Sequence, residues 1–251
     1  MELSPLLLLY VFIVVSFGAF VKGFAGFGLP LIAVPLLAQV IDPKTVVVTF
    51  AIPTLVSNLV VLLQGSVPWL AVRRAVPFLL TLSAGALVGA VLVPTLDARL
   101  VSLLIGVVAL GFGLLSLVRV ELKLTAGQER VASPVLGGAC GLLGGATTIY
   151  APLAALYFQT LRYEKWAFVY VLSLLFLVAT SVQVATFLAL RMYRPELALG
   201  GLLLCLPIAL GVRLGLWAHR RASAMWFRQV VLLLVLVSSV QLIARGLGLI
   251  R

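Results

Sequence analysis

The sequence predicts an all-α polytopic membrane protein built from two repeats. Three observations predict it: an apolar composition, apolar runs long enough to span a bilayer, and a duplicated arrangement of glycines and basic residues. Hydrophobic residues make up 63% of the 251 residues, charged residues make up 10%, and mean hydropathy is +1.26. Soluble domains carry about 25% charged residues. This chain could not cover a water-facing surface, whereas a bilayer accommodates an exterior as apolar as the interior.

Several apolar runs have the length of about 20 residues that a membrane-spanning helix needs. Short polar segments separate them, and no soluble domain is present. The runs cover residues 45–64, 75–94, 100–118, 166–190, 197–218 and 226–244. The N-terminal apolar stretch resembles the core of a signal peptide, but it is preceded by Glu2 and by no Lys or Arg. We therefore interpret it as part of the structure.

Two further apolar regions contain clusters of glycine that predict interrupted helices. The first cluster runs from Lys22 to Pro30 within residues 5–40, and the second covers 137–146 within residues 131–159. Each glycine lowers helix stability by about 1 kcal/mol relative to alanine. Within a bilayer, an interrupted helix persists only where its freed backbone groups face protein or water. Each region is therefore expected to be a broken crossing or a re-entrant hairpin.

The two halves of the chain repeat one pattern of residues. The matched features are Gly23-x-x-Gly26 with Gly141-x-x-Gly144, Pro35 with Pro152, Lys44 with Lys165, Arg73 with Arg194, and Gly85-x-x-x-Gly89 with Gly211-x-x-x-Gly215. The last pair is interpreted as helix-packing faces. The pattern predicts a first repeat at 1–120, a linker at 121–130 and a second repeat at 131–251. Each repeat would comprise a glycine-broken segment and three transmembrane helices.

The distribution of Lys and Arg favours inverted repeats. If each broken segment crosses the membrane once, alternate loops carry about 9 and 7 basic residues, whereas re-entrant hairpins give about 10 and 6. Hairpins leave each half with an odd number of crossings, so the halves are inverted and the N-terminus lies outside. Inverted repeats with broken helices that meet at the midplane recur in transporters.

The helix interruptions are the strongest candidates for a binding site. Half-helices beginning near Leu29–Pro30 and near Ala146–Thr147 would leave N–H groups unpaired and carry partial positive charge. Two such ends can bind an anion, and Thr147 or Thr148 could cap the second half-helix or bind the ligand. The alternative is that the glycines only allow close helix packing. The predicted substrate-binding residues are Lys22, Gly23, Gly26, Gly28, Asn58, Gly144, Gly145, Thr147, Thr148, Gln183 and Arg213.

Lys22 and Arg213 are basic residues within apolar segments, where a charge is costly and indicates function. Lys22 is matched by Cys140 in the second repeat, so the duplication does not require a lysine there. Arg213 could instead extend to the membrane surface, and Asn58 and Gln183 could serve only as hydrogen-bonding residues between helices. No Asp or Glu lies inside an apolar run. This absence favours an anionic substrate.

The basic residues, the cysteines and the histidine of the sequence argue against other classes of function. The net charge of +11 comes from Lys and Arg between apolar runs, as the positive-inside rule produces, so no nucleic-acid partner is expected. Cys140 and Cys205 lack metal-ligand spacing, and the single histidine, His219, lies elsewhere. We therefore predict no enzyme activity, no metal site and no cofactor. A non-transporting assembly or structural subunit is the alternative to a transporter.

Two segments carry a resemblance to a known family. They are Gly23-Phe-Ala-Gly26-Phe-Gly28-Leu-Pro30-Leu-Ile-Ala-Val-Pro35 and Gly141-Leu-Leu-Gly144-Gly145-Ala-Thr-Thr-Ile-Tyr-Ala-Pro152. With them, the sequence resembles the TauE/SafE family of sulfite and organosulfonate exporters, and the likeness extends over essentially the whole chain. The resemblance implies a multi-pass transporter of small sulfur-containing anions, such as sulfite or sulfoacetate, in the bacterial cytoplasmic (inner) membrane.

These expectations combine into one hypothesis, secondary transport by alternating access. A small anion is held at half-helix N-termini near the midplane, assisted by Lys22 and Arg213. The expected partners are the lipid bilayer and the anionic substrate. The direction of transport, a coupling ion (H⁺ or Na⁺) and a homodimer are left open.

Overall fold

The computed structural model describes residues 5–25, 28–117, 125–219 and 225–249. This part of the chain is helical and has no strand. Its helices are α1 (Pro5–Ala25), α2 (Leu29–Leu37), α3 (Pro43–Leu62), α4 (Trp69–Leu92), α5 (Ala98–Leu117), α6 (Ala126–Thr147), α7 (Ala151–Thr160), α8 (Lys165–Ala189), α9 (Pro195–His219) and α10 (Met225–Gly246). The predicted all-α class is confirmed for the described residues.

Six of the described helices are long and apolar enough to cross a membrane: α1, α3, α4, α5, α8 and α9. Five of them coincide with predicted runs. The run predicted at 226–244 lies within α10, whose described apolar part is Val231–Gly246. α1 is the sixth of the long apolar helices, since it stays helical past Lys22 as far as Ala25. The chain is thus a multi-pass membrane protein.

Both helix interruptions are present, but the second lies after its glycines rather than among them. α1 ends at Ala25 and α2 begins at Leu29, as the first cluster predicts. α6 instead continues through the cluster at 137–146 and ends at Thr147, and α7 begins at Ala151. The predicted start of the second half-helix is therefore wrong by about one helical turn.

α6 keeps its glycines helical because they let α4 approach closely. A Cβ on Gly141 would lie 2.1 Å from the carbonyl oxygen of Leu82. A Cβ on Gly145 would lie 2.3 Å from the carbonyl oxygen of Ala86. Gly85 of α4 meets α6 at a similar distance. Backbone-to-backbone packing of this kind stabilises helices in membranes, and here it outweighs the low helix propensity of glycine.

α1 and α9 pack in the same way, and their contacts correct the match between the halves. Gly215 of α9 packs on Gly23, and Gly89 of α4 packs on Gly145. With Gly89 and Gly215 taken as equivalent, as the sequence predicts, these contacts pair Gly23 with Gly145 and not with Gly141. The predicted match of Gly23 with Gly141 then shifts by one helical turn, since glycines recur on successive turns of α6 and their spacing alone cannot distinguish the two registers.

The short helices α2 and α7 fold back along the helices that precede them. The Tyr10 hydroxyl of α1 donates a hydrogen bond to the Leu36 carbonyl oxygen of α2 at 3.0 Å. Ser133 of α6 lies beside the Tyr157 hydroxyl of α7. α2 has 9 residues and α7 has 10. At about 1.5 Å per residue, each reaches across about half of a bilayer core.

The predicted repeats match α3 with α8 and α5 with α10. The two helices of each pair run antiparallel. At the start of α8, the Trp166 indole donates to the Ser66 carbonyl oxygen beyond the end of α3, at 2.9 Å. After α8, the Tyr193 hydroxyl donates to the Val48 carbonyl oxygen near the start of α3, at 3.1 Å. Gly246, at the end of α10, likewise packs on the first turn of α5. The starts of α3 and α8 therefore lie at opposite ends of this pair.

Candidate functional site

The N-termini of α2 and α7 meet at one small cavity beside the middle of α3 and α8. The cavity is lined by Lys22, Gly28, Pro30, Leu31, Thr54, Thr148, Ile149, Tyr150, Ala151 and Phe176. Its volume is about 20 Å³, which is room for a single water molecule. A larger ligand would fit only after the surrounding helices move apart.

Both half-helices present N-termini without a side-chain cap to this cavity. α2 follows Gly28 and α7 follows Tyr150, and neither residue accepts a capping hydrogen bond. Pro30 and Pro152 lie in the first turns, where a missing N–H costs little. Gly28 has φ 127°, a conformation that residues with a side chain rarely adopt. The partial positive charges of two helix ends are thus directed into one space.

Lys22 brings a basic side chain to the same cavity. It is 1% exposed, and its amino group donates a hydrogen bond to the carboxamide oxygen of Asn58 on α3. The Asn58 amide nitrogen donates to the Thr54 carbonyl oxygen at 2.9 Å. That second bond orients the amide so that its oxygen faces the lysine.

No carboxylate in the described part of the chain forms a salt bridge with Lys22. Glu129 pairs with Arg74 on α4. The remaining described acids are exposed at helix ends and are Asp42, Asp97, Glu164 and Glu196. Any charge that Lys22 carries in the described cavity is therefore left without a negative partner, which suits a negatively charged ligand.

On the opposite side of the cavity, Gln183 of α8 holds the break between α6 and α7. Its amide nitrogen donates to the Gly145 carbonyl oxygen at 2.9 Å and to the Thr148 hydroxyl at 3.1 Å. Its amide oxygen accepts from the Tyr150 hydroxyl at 3.2 Å. The Thr148 hydroxyl in turn donates to the Val47 carbonyl oxygen of α3 at 3.1 Å. Gln183 is thus fully engaged in fixing this break.

Most of the predicted site residues line the cavity or bond to a residue that lines it. This group is Lys22, Gly28, Asn58, Gly144, Thr147, Thr148 and Gln183. Gly145 lies farther out and accepts a hydrogen bond from Gln183. Gly144 lies against the ring of Tyr150, and a Cβ there would lie 2.0 Å from a ring carbon. In the register set by the helix contacts, Gly144 corresponds to Lys22, so the match with Cys140 is wrong.

Other predicted residues do not line the cavity. Gly23 faces α9, and Arg213 is exposed on α9. The Thr147 hydroxyl donates within its own helix and accepts from the Ile149 N–H at 3.2 Å. Thr148 does not cap α7 but ends α6 in the left-handed conformation at φ 63°. Gly26 lies outside the described residues.

Sequence reasoning missed Thr54, Tyr150 and Phe176, which all line the cavity. A signal for Tyr150 exists in the sequence. In both halves a proline follows the break by two residues, as Gly28-Leu-Pro30 and Tyr150-Ala-Pro152. Aligning the halves on these prolines places Tyr150 opposite Gly28, at the start of the second half-helix.

A family model described as Sulfite exporter TauE/SafE matches residues 11–242. The chain belongs to the TauE/SafE family. The match includes both half-helices and every residue that lines the cavity. No curated protein and no solved structure matches the chain. Membership in the TauE/SafE family confirms the resemblance drawn from the glycine segments.

Proposed function

We propose that this TauE/SafE member is a secondary transporter of small sulfur-containing oxyanions, such as sulfite, sulfoacetate or similar organosulfonates. The observation that carries the proposal is the small cavity lined by Lys22 and by the N-termini of α2 and α7. A buried lysine, when protonated, and two helix ends attract an anion. The family description, sulfite exporter, supports a sulfur oxyanion as that ligand.

Two inverted halves would give this cavity access from both sides of the membrane. The antiparallel directions of α3 with α8 and of α5 with α10 support halves of opposite orientation. The fold-back of α2 and α7 supports hairpins that enter and leave at one face. Rocking one half against the other then opens the cavity to alternate sides. The bacterial cytoplasmic membrane is the proposed location.

Flux of labelled sulfite from liposomes that contain the purified protein tests the proposal. We expect Lys22→Met to lower saturable flux by about 10-fold or more, because a hydrogen bond to a charged group contributes about 1.5–3 kcal/mol. Lys165→Met is the matched control, since Lys165 is exposed at the start of α8 and lies away from the cavity. Its flux is expected to equal that of the unaltered protein.

The alternative role, a non-transporting assembly or structural subunit, predicts a different result. Liposomes with the unaltered protein would then release sulfite no faster than empty liposomes. Equal flux from Lys22→Met and Lys165→Met proteins, both folded by size-exclusion chromatography, would remove Lys22 from the site even if transport occurs.

A further inference from the structure

We infer that Lys22 is also the coupling site of the transporter and that it binds one proton together with each anion. The inference rests on the proposed function, because it assigns a coupling ion to the same cavity. Its structural basis is a lysine that is 1% exposed and that has a neutral amide, rather than a carboxylate, as its partner in the described part of the chain.

A protonated Lys22 is costly while the cavity holds no anion. Burying an ammonium group costs several kcal/mol unless an opposite charge compensates it. Asn58 accepts a hydrogen bond from Lys22 but supplies no negative charge. The positive ends of α2 and α7 add repulsion. Lysine, unlike arginine, readily gives up its proton in such surroundings, so the empty cavity favours the neutral amine.

Few charged or titratable groups face Lys22 from the surrounding helices. α2 has none, α3 contributes the uncharged Asn58 and Thr54, and α8 contributes Phe176. The phenol of Tyr150 lines the cavity next to α7, but its hydroxyl donates to Gln183. On α9, Arg213 is exposed and lies outside the cavity. Among the described residues, Lys22 is therefore the cavity residue that can carry a positive charge.

Anion binding supplies the negative charge that the site lacks, so anion and proton favour each other's binding to the same extent. On the loading side, the Lys22 amine takes a proton from solution as the anion binds. On the releasing side, the anion leaves and the ammonium returns the proton to solution. The equivalent position in the second half is Gly144, which has no side chain to bind a second proton. Each monoanion is thus moved with one proton and without net charge.

The test uses the full chain in liposomes that contain a pH-sensitive dye, with methanesulfonate as the main probe. This sulfonate is a monoanion with no titrating group of its own near neutral pH, so any proton that moves with it is carried by the protein. We expect one proton to accompany each methanesulfonate in the same direction. An imposed pH gradient should accumulate the anion, whereas a potential set by potassium and valinomycin should leave its flux unchanged. Labelled sulfite, measured in parallel at a pH low enough that hydrogen sulfite, a monoanion, predominates, should also ignore the potential.

Lys22→Arg separates proton coupling from anion binding, because arginine keeps its charge. We expect this protein to exchange labelled for unlabelled anion across the membrane but to lose accumulation driven by a pH gradient. Lys165→Arg is the matched control and should retain both activities. If Lys22→Arg does not fold, the proton-to-anion ratio of the unaltered protein still decides whether one proton accompanies each anion.

The two proposals fail in different ways. Flux of either anion that follows the membrane potential without proton movement would overturn the coupling role of Lys22 and leave the transport function intact. Absence of flux for both methanesulfonate and sulfite would overturn the proposed function, and the coupling role with it.

Discussion

Gln183 stabilises the break between α6 and α7 by bonding to polar groups that the break leaves without helical partners. The Gly145 carbonyl lies in the last turn of α6, where no later residue of the helix can donate to it. The Thr148 and Tyr150 hydroxyls beyond it are buried as well. In an apolar interior, each of these groups would be costly without a partner. The amide of Gln183 forms a hydrogen bond with each of these three groups. Gln183 therefore positions the break.

Replacing Gln183 by leucine is expected to destabilise the protein. The Gly145 carbonyl and the Tyr150 hydroxyl would each lose the hydrogen bond that Gln183 makes. We expect a loss of about 1–3 kcal/mol, measured as a lower melting temperature of the purified protein in detergent. Ser181→Ala is the control, because the exposed Ser181 hydroxyl bonds only to the backbone of its own helix. Equal melting temperatures for the two variants would contradict this role.

At the residue scale, the sequence predicts groups whose chemistry is unusual in an apolar segment. Lys22 stands out as a charge, and Asn58 and Gln183 stand out as amides, without any structural information. Tyr150 does not stand out, because an aromatic residue near a helix start has many ordinary roles. Arg213 is as unusual in sequence as Lys22, but its exposure depends on which face α9 turns toward α1, and the sequence does not specify that face.

At the scale of elements, close packing of two helix pairs surrounds the site. α4 packs on α6, and α1 packs on α9, through glycines placed one turn apart. Two of these four helices, α1 and α6, lead into the breaks. The packing of the pairs therefore sets the positions of the hairpin tips. A side chain inserted into either interface would separate the helices and displace a tip.

Alanine substitutions at Gly141 and Gly138 should have opposite effects on stability. A Cβ on Gly141 would lie 2.1 Å from the Leu82 carbonyl oxygen, whereas a Cβ on Gly138 would meet nothing within 4 Å. Gly138→Ala should stabilise α6 by up to about 1 kcal/mol through helix propensity. Gly141→Ala should destabilise the protein by about 1–3 kcal/mol through overpacking. Thermal unfolding in detergent measures both, and equal shifts would contradict the proposed packing.

The helices themselves could largely be predicted, because a run of about 20 apolar residues is a strong signal. The first break was also located, since Gly28 and Pro30 mark a turn and a helix start. The second break was misplaced because glycine has two effects in a membrane helix. It lowers intrinsic helix stability and it permits close packing. Only the position of α4 decides which effect prevails in α6.

At the scale of the whole molecule, the central claim is that two halves of opposite orientation bring two half-helix N-termini to one cavity. The duplication is a prediction from the sequence. The orientation could not be settled by counting Lys and Arg, because both arrangements leave basic residues on both sides. Contacts between distant parts of the chain, such as Trp166 with Ser66, supply the helix directions that local sequence lacks.

Labelling of single cysteines at Asp42 and Glu164 tests this claim most directly. These exposed residues precede α3 and α8, and each is replaced by cysteine in a protein whose Cys140 and Cys205 are serine. Inverted halves predict that a membrane-impermeant maleimide labels one of the two in intact cells and the other only after permeabilisation. Labelling of both from the same side would mean parallel halves, whose half-helices could not meet at one site.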